Sequence, residues 1–150
     1  MRVTIQRVLE ASVKVKGKVI GSIQQELLVF LGIENLDSPE DIEWLTGKIS
    51  RLRIFPDDKA PMNQSIEDIS GEILVVSQFT LYASTKKGNR PSFAKSGEPN
   101  FAKDMCEKFV TELSLKTNKK IQTGIFGADM KVALINDGPV TINIDSKRKE

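Results

Sequence analysis

The chain has 150 residues, and its 22 Lys and Arg against 20 Asp and Glu leave a formal charge of +2, which neither demands a polyanionic partner nor forbids one. A chain this long matches one ordinary domain, 1–150, and buries roughly 70% of its unfolded surface without disulfide or metal staples. One cysteine, Cys106, and no histidine exclude an internal disulfide, a tetrahedral Cys/His zinc site, and the Ser-His-Asp and Cys-His nucleophile arrangements. They also remove the usual near-neutral general base. The opening MRVTIQRVLE alternates and carries charge where a signal peptide needs an unbroken apolar stretch, and the longest apolar run, Leu27 to Ile33, is too short to span a bilayer. A soluble, cytoplasmic protein is expected.

Val3, Ile5 and Arg7 share one face of a period-two pattern, and Val13 and Val15 share one face of another, so two strands are expected here. Lys16-Gly17-Lys18 turns the chain into a strand over 19–23. Glu26 to Gly32 is nearly all apolar, as in a strand buried on both faces. Ser38-Pro39-Glu40-Asp41 has the N-cap, first-turn proline and early acids of a helix start, with Ile42, Leu45, Ile49 and Leu52 following at helical spacing. Arg53 to Phe55 reads as a short strand stopped by Pro56, and Glu72 to Phe79 as another buried strand.

From Ser84 to Pro99 the composition is that of a surface loop, and Lys86, Lys87, Arg90 and Lys95 meet no acid before Glu98. Phe101, Met105, Phe109 and Leu113 step by four through a second helix, with Cys106 beside them as a structural residue. Lys120 to Thr123, Lys131 to Ile135 and Val140 to Ile144 read as three final strands, and the tail from Lys147 to Glu150 as frayed. The expected architecture is an α/β fold: a strand-rich mixed sheet curved into a barrel-like core with two main helices.

Two segments break these local rules. Ser77-Gln78-Phe79-Thr80-Leu81-Tyr82 ends a buried strand in hydrogen-bonding side chains, which fits either a plain turn or a site at the mouth of a sheet. Asn136-Asp137-Gly138-Pro139-Val140-Thr141 lies between two strand patterns. Asp-Gly alone would signal a tight hairpin, but the proline that follows presses Gly138 toward extended geometry and has no N–H to give. A cis bond, found in about 5–6% of X-Pro cases in folded proteins, would need a specific reason. Arg7 is a cation on an otherwise apolar strand face, either snorkelling from a strand end or serving a site.

MRVTIQRV, LRIFPDD, GEILVVSQFTLYAS, KGNRPSF, FGADM and NDGPVT together resemble the D-aminoacyl-tRNA deacylase family from end to end, with both signature motifs unsubstituted. The resemblance implies a homodimeric hydrolase that acts at the acceptor end of aminoacyl-tRNA and cleaves the ester of a D-amino acid, with glycine on tRNA as a second substrate. It implies proofreading in the cytoplasm with no cofactor, metal, membrane or DNA partner. Ser77, Gln78, Phe79 and Thr80 then line the catalytic pocket. Gly138 and Pro139, in cis and held by Arg7, bind substrate from across the dimer. Two other readings remain open at this point. A non-catalytic RNA-binding module would use the basic loop without needing the Gly138-Pro139 motif, and a Thr80-nucleophile esterase would cleave simple esters.

Overall fold

A computed structural model describes residues 1–69 and 71–149. Its strands are β1 (Arg2–Val15), β2 (Lys18–Ile23), β3 (Glu26–Gly32), β4 (Glu72–Ser77), β5 (Ile121–Thr123) and β6 (Met130–Asp145), with helices α1 (Pro39–Ser50) and α2 (Pro99–Thr117). They form one mixed sheet in the order β2-β1-β3-β4-β5, with β6 added on the outer side of β1. The helices make the crossovers of the parallel set: β3 to β4 through α1, and β4 to β5 through α2. Gly21 of β2 comes so close to β5 that a Cβ there would lie 2.7 Å from the Thr123 carbonyl oxygen, so the sheet is nearly closed into a barrel. The expected architecture is what the chain adopts.

The unbroken apolar run of β3 follows from two cores lying on opposite faces of the sheet. Leu27, Val29 and Leu31 join Ile73 and Val75 of β4 under the helices, against Leu45, Ile49, Met105, Phe109 and Leu113. The alternate residues Leu28, Leu74 and Val76 meet Val8, Val13 and Ile23 in the second core. At the start of α1 the Asp41 carboxylate accepts the Ser38 N–H at 2.9 Å, and α2 opens with Glu98 accepting the N–H groups of Asn100 and Phe101. Phe109, fully buried, sits where helix meets sheet. Truncating Phe109→Ala should lower unfolding stability by about 3–5 kcal/mol in a urea titration.

Four expectations need correction. The two N-terminal strands are one 14-residue strand, because β1 passes from β3 to β2 while β6 accompanies both halves. The last two strands are likewise one 16-residue strand. Arg53 to Phe55 makes only a single bridge, Phe55 to Gln64, since Pro56 carries no N–H to extend the ladder. The tail is docked through Lys149: Lys147 Nζ lies 2.5 Å from Asp41 and the Lys149 ammonium stands 4.8 Å over the Trp44 ring. Glu150 lies outside the described residues.

Candidate active site

β4 ends at its last pairing with β3, Ser77 opposite Leu31. The Gln78 N–H still donates to the Leu31 carbonyl at 2.7 Å, but residues Phe79–Tyr82 then tighten into a single 3-10 turn, where the sequence pattern predicts two more strand residues. Tyr82 explains the departure. Its ring is buried beneath the Arg2 guanidinium, 4.5 Å from the ring centre, and this anchor pulls the chain down and back. Gly32 lets the turn approach, since a Cβ there would stand 3.1 Å from both the Gln78 carbonyl oxygen and the Leu81 Cβ.

The turn borders a predominantly apolar cavity of about 480 Å³. Leu31, Val76, Ser77, Gln78 and Phe79 line it, together with Phe126 to Met130. The N–H groups of Phe79 and Thr80 open the turn, and the first N–H groups of a helical turn have no acceptor within it. Phe79 is 59% exposed, with its ring edge-on to Phe93 at 5.0 Å. Thr80 is exposed and does not line the cavity; its hydroxyl is hydrogen-bonded to the Gln78 side-chain amide. Either end of an amide is too weakly basic to activate a hydroxyl.

The second motif is neither a hairpin turn nor part of this cavity. β1 pairs Gln6 with Thr141 and Val8 with Asn136, so Arg7 alone faces the four residues Asp137 to Val140, which bulge out of β6. The Asn136 side chain donates to the Thr141 hydroxyl at 3.1 Å across the base of the bulge. At its crest the Gly138-Pro139 peptide bond is cis, Gly138 has φ +116°, and both residues are exposed. Arg7, with a side chain only 12% exposed, donates to the Ile54 carbonyl at 2.6 Å, and its Nε lies 2.9 Å from Asp137. Because the Nε–H is not aimed at that carboxylate, the contact is an ion pair and not a hydrogen bond. Arg7 thus braces the bulge through Asp137, and by contact with Gly138, without hydrogen bonds to the Gly138 and Pro139 carbonyls.

Within one chain the two motifs do not meet. Arg7 is level with Leu27 on β3 and Ile73 on β4, four residues before Ser77, or about 13 Å along the strands. Three strand spacings, about 14 Å, separate β6 from β4 across the sheet. β6 has no partner on its outer edge among the described residues, and Ile135 there is 50% exposed.

A family model described as D-Tyr-tRNA(Tyr) deacylase matches residues 4–145. The chain belongs to that family. Curated D-aminoacyl-tRNA deacylases from Flavobacterium johnsoniae and Cytophaga hutchinsonii are 61% and 57% identical to it over the whole of both chains. A solved structure described as a c-Myc DNA unwinding element binding protein has TM-score 0.90 at 38% identity, covering 97% of this chain and 98% of that one. Another, described as a probable eukaryotic D-amino acid tRNA deacylase, has TM-score 0.81 at 17% identity over 95% and 98%, a likeness of fold. The chain is accordingly an enzyme, a hydrolase of the D-aminoacyl-tRNA deacylase kind.

The deacylase has no histidine to carry protons near neutral pH. Burial pushes the Cys106 thiol up to about 11, so it stays protonated and inert. Burial, reinforced by Asp37 and Glu34, drives the Tyr82 phenol well above its ordinary range. A larger hollow of about 960 Å³ runs along α1 and α2, but it is lined by alternating charges and contains neither motif. The cavity lining from Phe126 to Met130, with Val132, was not among the sequence-predicted site residues. Its segment FGADM belongs to the end-to-end resemblance but offers no reactive pattern, because it contributes backbone and shape. Among the described residues no helix is long and apolar enough to cross a membrane.

Proposed function

We propose that the deacylase hydrolyses the ester joining a D-amino acid to the terminal adenosine of tRNA, releasing both, and that glycine mischarged on tRNA is a second substrate. The observation that supports this best is a nucleoside-sized, predominantly apolar cavity lined by Ser77 to Phe79, in a chain of this family. Ser77 and Gln78 orient the ester. Phe79 shapes the adenosine side of the pocket. The N–H groups of Phe79 and Thr80 meet the developing oxyanion, an effect worth about 3–4 kcal/mol per donor in other hydrolases. The ester is intrinsically reactive and the neighbouring ribose hydroxyl positions the attacking water, so neither a protein base nor a metal is needed.

Thr80 serves through its backbone. Thr80→Ala should keep kcat/KM for D-aminoacyl-tRNA within about tenfold of wild type, since the N–H survives the substitution. A thousandfold loss, or a trapped acyl-threonine, would restore the nucleophile.

The Gly138-Pro139 crest completes the pocket of a second copy. The separation of the motifs within one chain and the unpaired outer edge of β6 both favour a two-fold homodimer in which each bulge enters the partner's cavity. Arg7 positions the crest through Asp137. The enzyme works in the cytoplasm on the acceptor end of aminoacyl-tRNA, with no cofactor and without membrane or DNA as partner. Deacylation of matched D- and L-aminoacyl-tRNA tests the whole reading, because an RNA-binding module would hydrolyse neither form.

A further inference from the structure

The basic stretch after the active-site turn is a built hairpin. Ser84 and Ser92 exchange both backbone hydrogen bonds, at 2.8 and 2.9 Å, and the tip turns at Gly88 with φ +127°. Its base is pinned to the site: Phe93 packs edge-on against Phe79, Ser96 Oγ donates to the Phe79 carbonyl at 3.1 Å, and the Gly97 N–H donates to the Ile33 carbonyl at 2.8 Å. Ser96 and Gly97 also line the cavity. Between Ser84 and Gly97 there are four cations and no carboxylate. Lys86, Lys87, Arg90 and Lys95 are all exposed, and among the described residues none has an ion-pair partner.

A cavity of about 480 Å³ is of the size that takes one nucleoside with its acyl group. The rest of a polynucleotide must leave through the mouth with its phosphates, and the predominantly apolar lining, whose one charged residue is the acid Asp129, gives those charges no counterpart. The hairpin does, since the three residues on each side of Gly88 carry Lys86, Lys87 and Arg90 beyond the Ser84-Ser92 pair, and Lys95 follows on the side of its base. We infer that the hairpin 84–97 is the phosphate-binding arm of the enzyme, with Lys86, Lys87, Arg90 and Lys95 gripping the backbone of the tRNA acceptor end while its pinned base registers the terminal nucleoside over Phe79. This rests on the proposed deacylase reading for the identity of the polynucleotide.

The test combines Lys86→Gln, Lys87→Gln, Arg90→Gln and Lys95→Gln in one chain, all at exposed positions. Binding of uncharged tRNA is measured across a series of salt concentrations, and kcat/KM is measured on D-aminoacyl-tRNA and on the same D-aminoacyl ester of adenosine alone. The variant should bind tRNA at least about tenfold more weakly at low salt, with a log-log salt slope shallower by up to about three. Its kcat/KM should fall on tRNA and hold on the adenosine ester. An unchanged slope and affinity would overturn the arm, as would equal losses on both esters, which would make the hairpin a part of the pocket wall. A wild-type chain that binds tRNA with the expected slope difference but cleaves neither ester would defeat the deacylase reading and leave the arm standing.

Discussion

Matched samples of one tRNA charged with the D or the L form of the same amino acid should be deacylated at rates differing by about ten-thousandfold, the D ester faster. Enantiomers carry identical groups, so discrimination requires at least three directional contacts around the α-carbon. A pocket specific for one side chain cannot supply these for many amino acids. The groups common to all substrates are the amino group, the ester and the α-hydrogen, and rigid main chain suits them because it does not rearrange to admit the wrong form. Here one wall is the backbone at Ser77 to Phe79, held by the bond from the Gln78 N–H to the Leu31 carbonyl and by the buried Tyr82. In the proposed dimer the facing surface is the Gly138-Pro139 crest, whose carbonyls meet the amino group and fill the space an L side chain would occupy. A ten-thousandfold preference corresponds to about 5.5 kcal/mol, within the range of one buried clash together with the hydrogen bonds it breaks. Equal rates on the two esters would remove the assignment of substrate.

Gly138→Ala should cost more activity than any other single methyl added to the chain. An added Cβ would stand 2.8 Å from Arg7 Nη2 and 2.9 Å from Val140 Cγ2, at a φ of +116° that side chains rarely adopt. Arg7 cannot simply swing aside, since it is held by the Ile54 carbonyl and paired with Asp137. The strain, about 1–3 kcal/mol, is relieved most readily by moving the exposed crest. Because Gly138 is exposed and outside both cores, the variant should fold, with a far-ultraviolet circular dichroism spectrum like that of wild type. Hydrolysis of D-aminoacyl-tRNA should nevertheless fall by about a hundredfold or more, and the preference for D over L should narrow. A folded variant with wild-type rate and selectivity would show that the crest does not reach the reacting ester of any subunit.

Much of this protein is legible locally. The SPED start of α1, the four-residue step from Phe101 to Leu113 and the apolar run of β3 each carry their own period and punctuation, so their type follows from neighbours in the chain. The two motifs were recognisable for a related reason: polar residues ending a buried strand, and a proline after Asp-Gly, contradict their surroundings. What tertiary structure alone decided lies where partners are distant in sequence. β1 and β6 run on through residues that look like breaks because each keeps a strand beside it, and a break pattern cannot reveal a partner more than a hundred residues away. Four residues bulge opposite Arg7 because the pairing on either side of them is already set. The 3-10 turn at Phe79 depends on Tyr82 finding a burial site beneath Arg2. The basic hairpin reads as a solvated loop until Phe93, Ser96 and Gly97 attach it to the turn and to β3, since charge and loop composition are local properties whereas position at the mouth of a cavity is not.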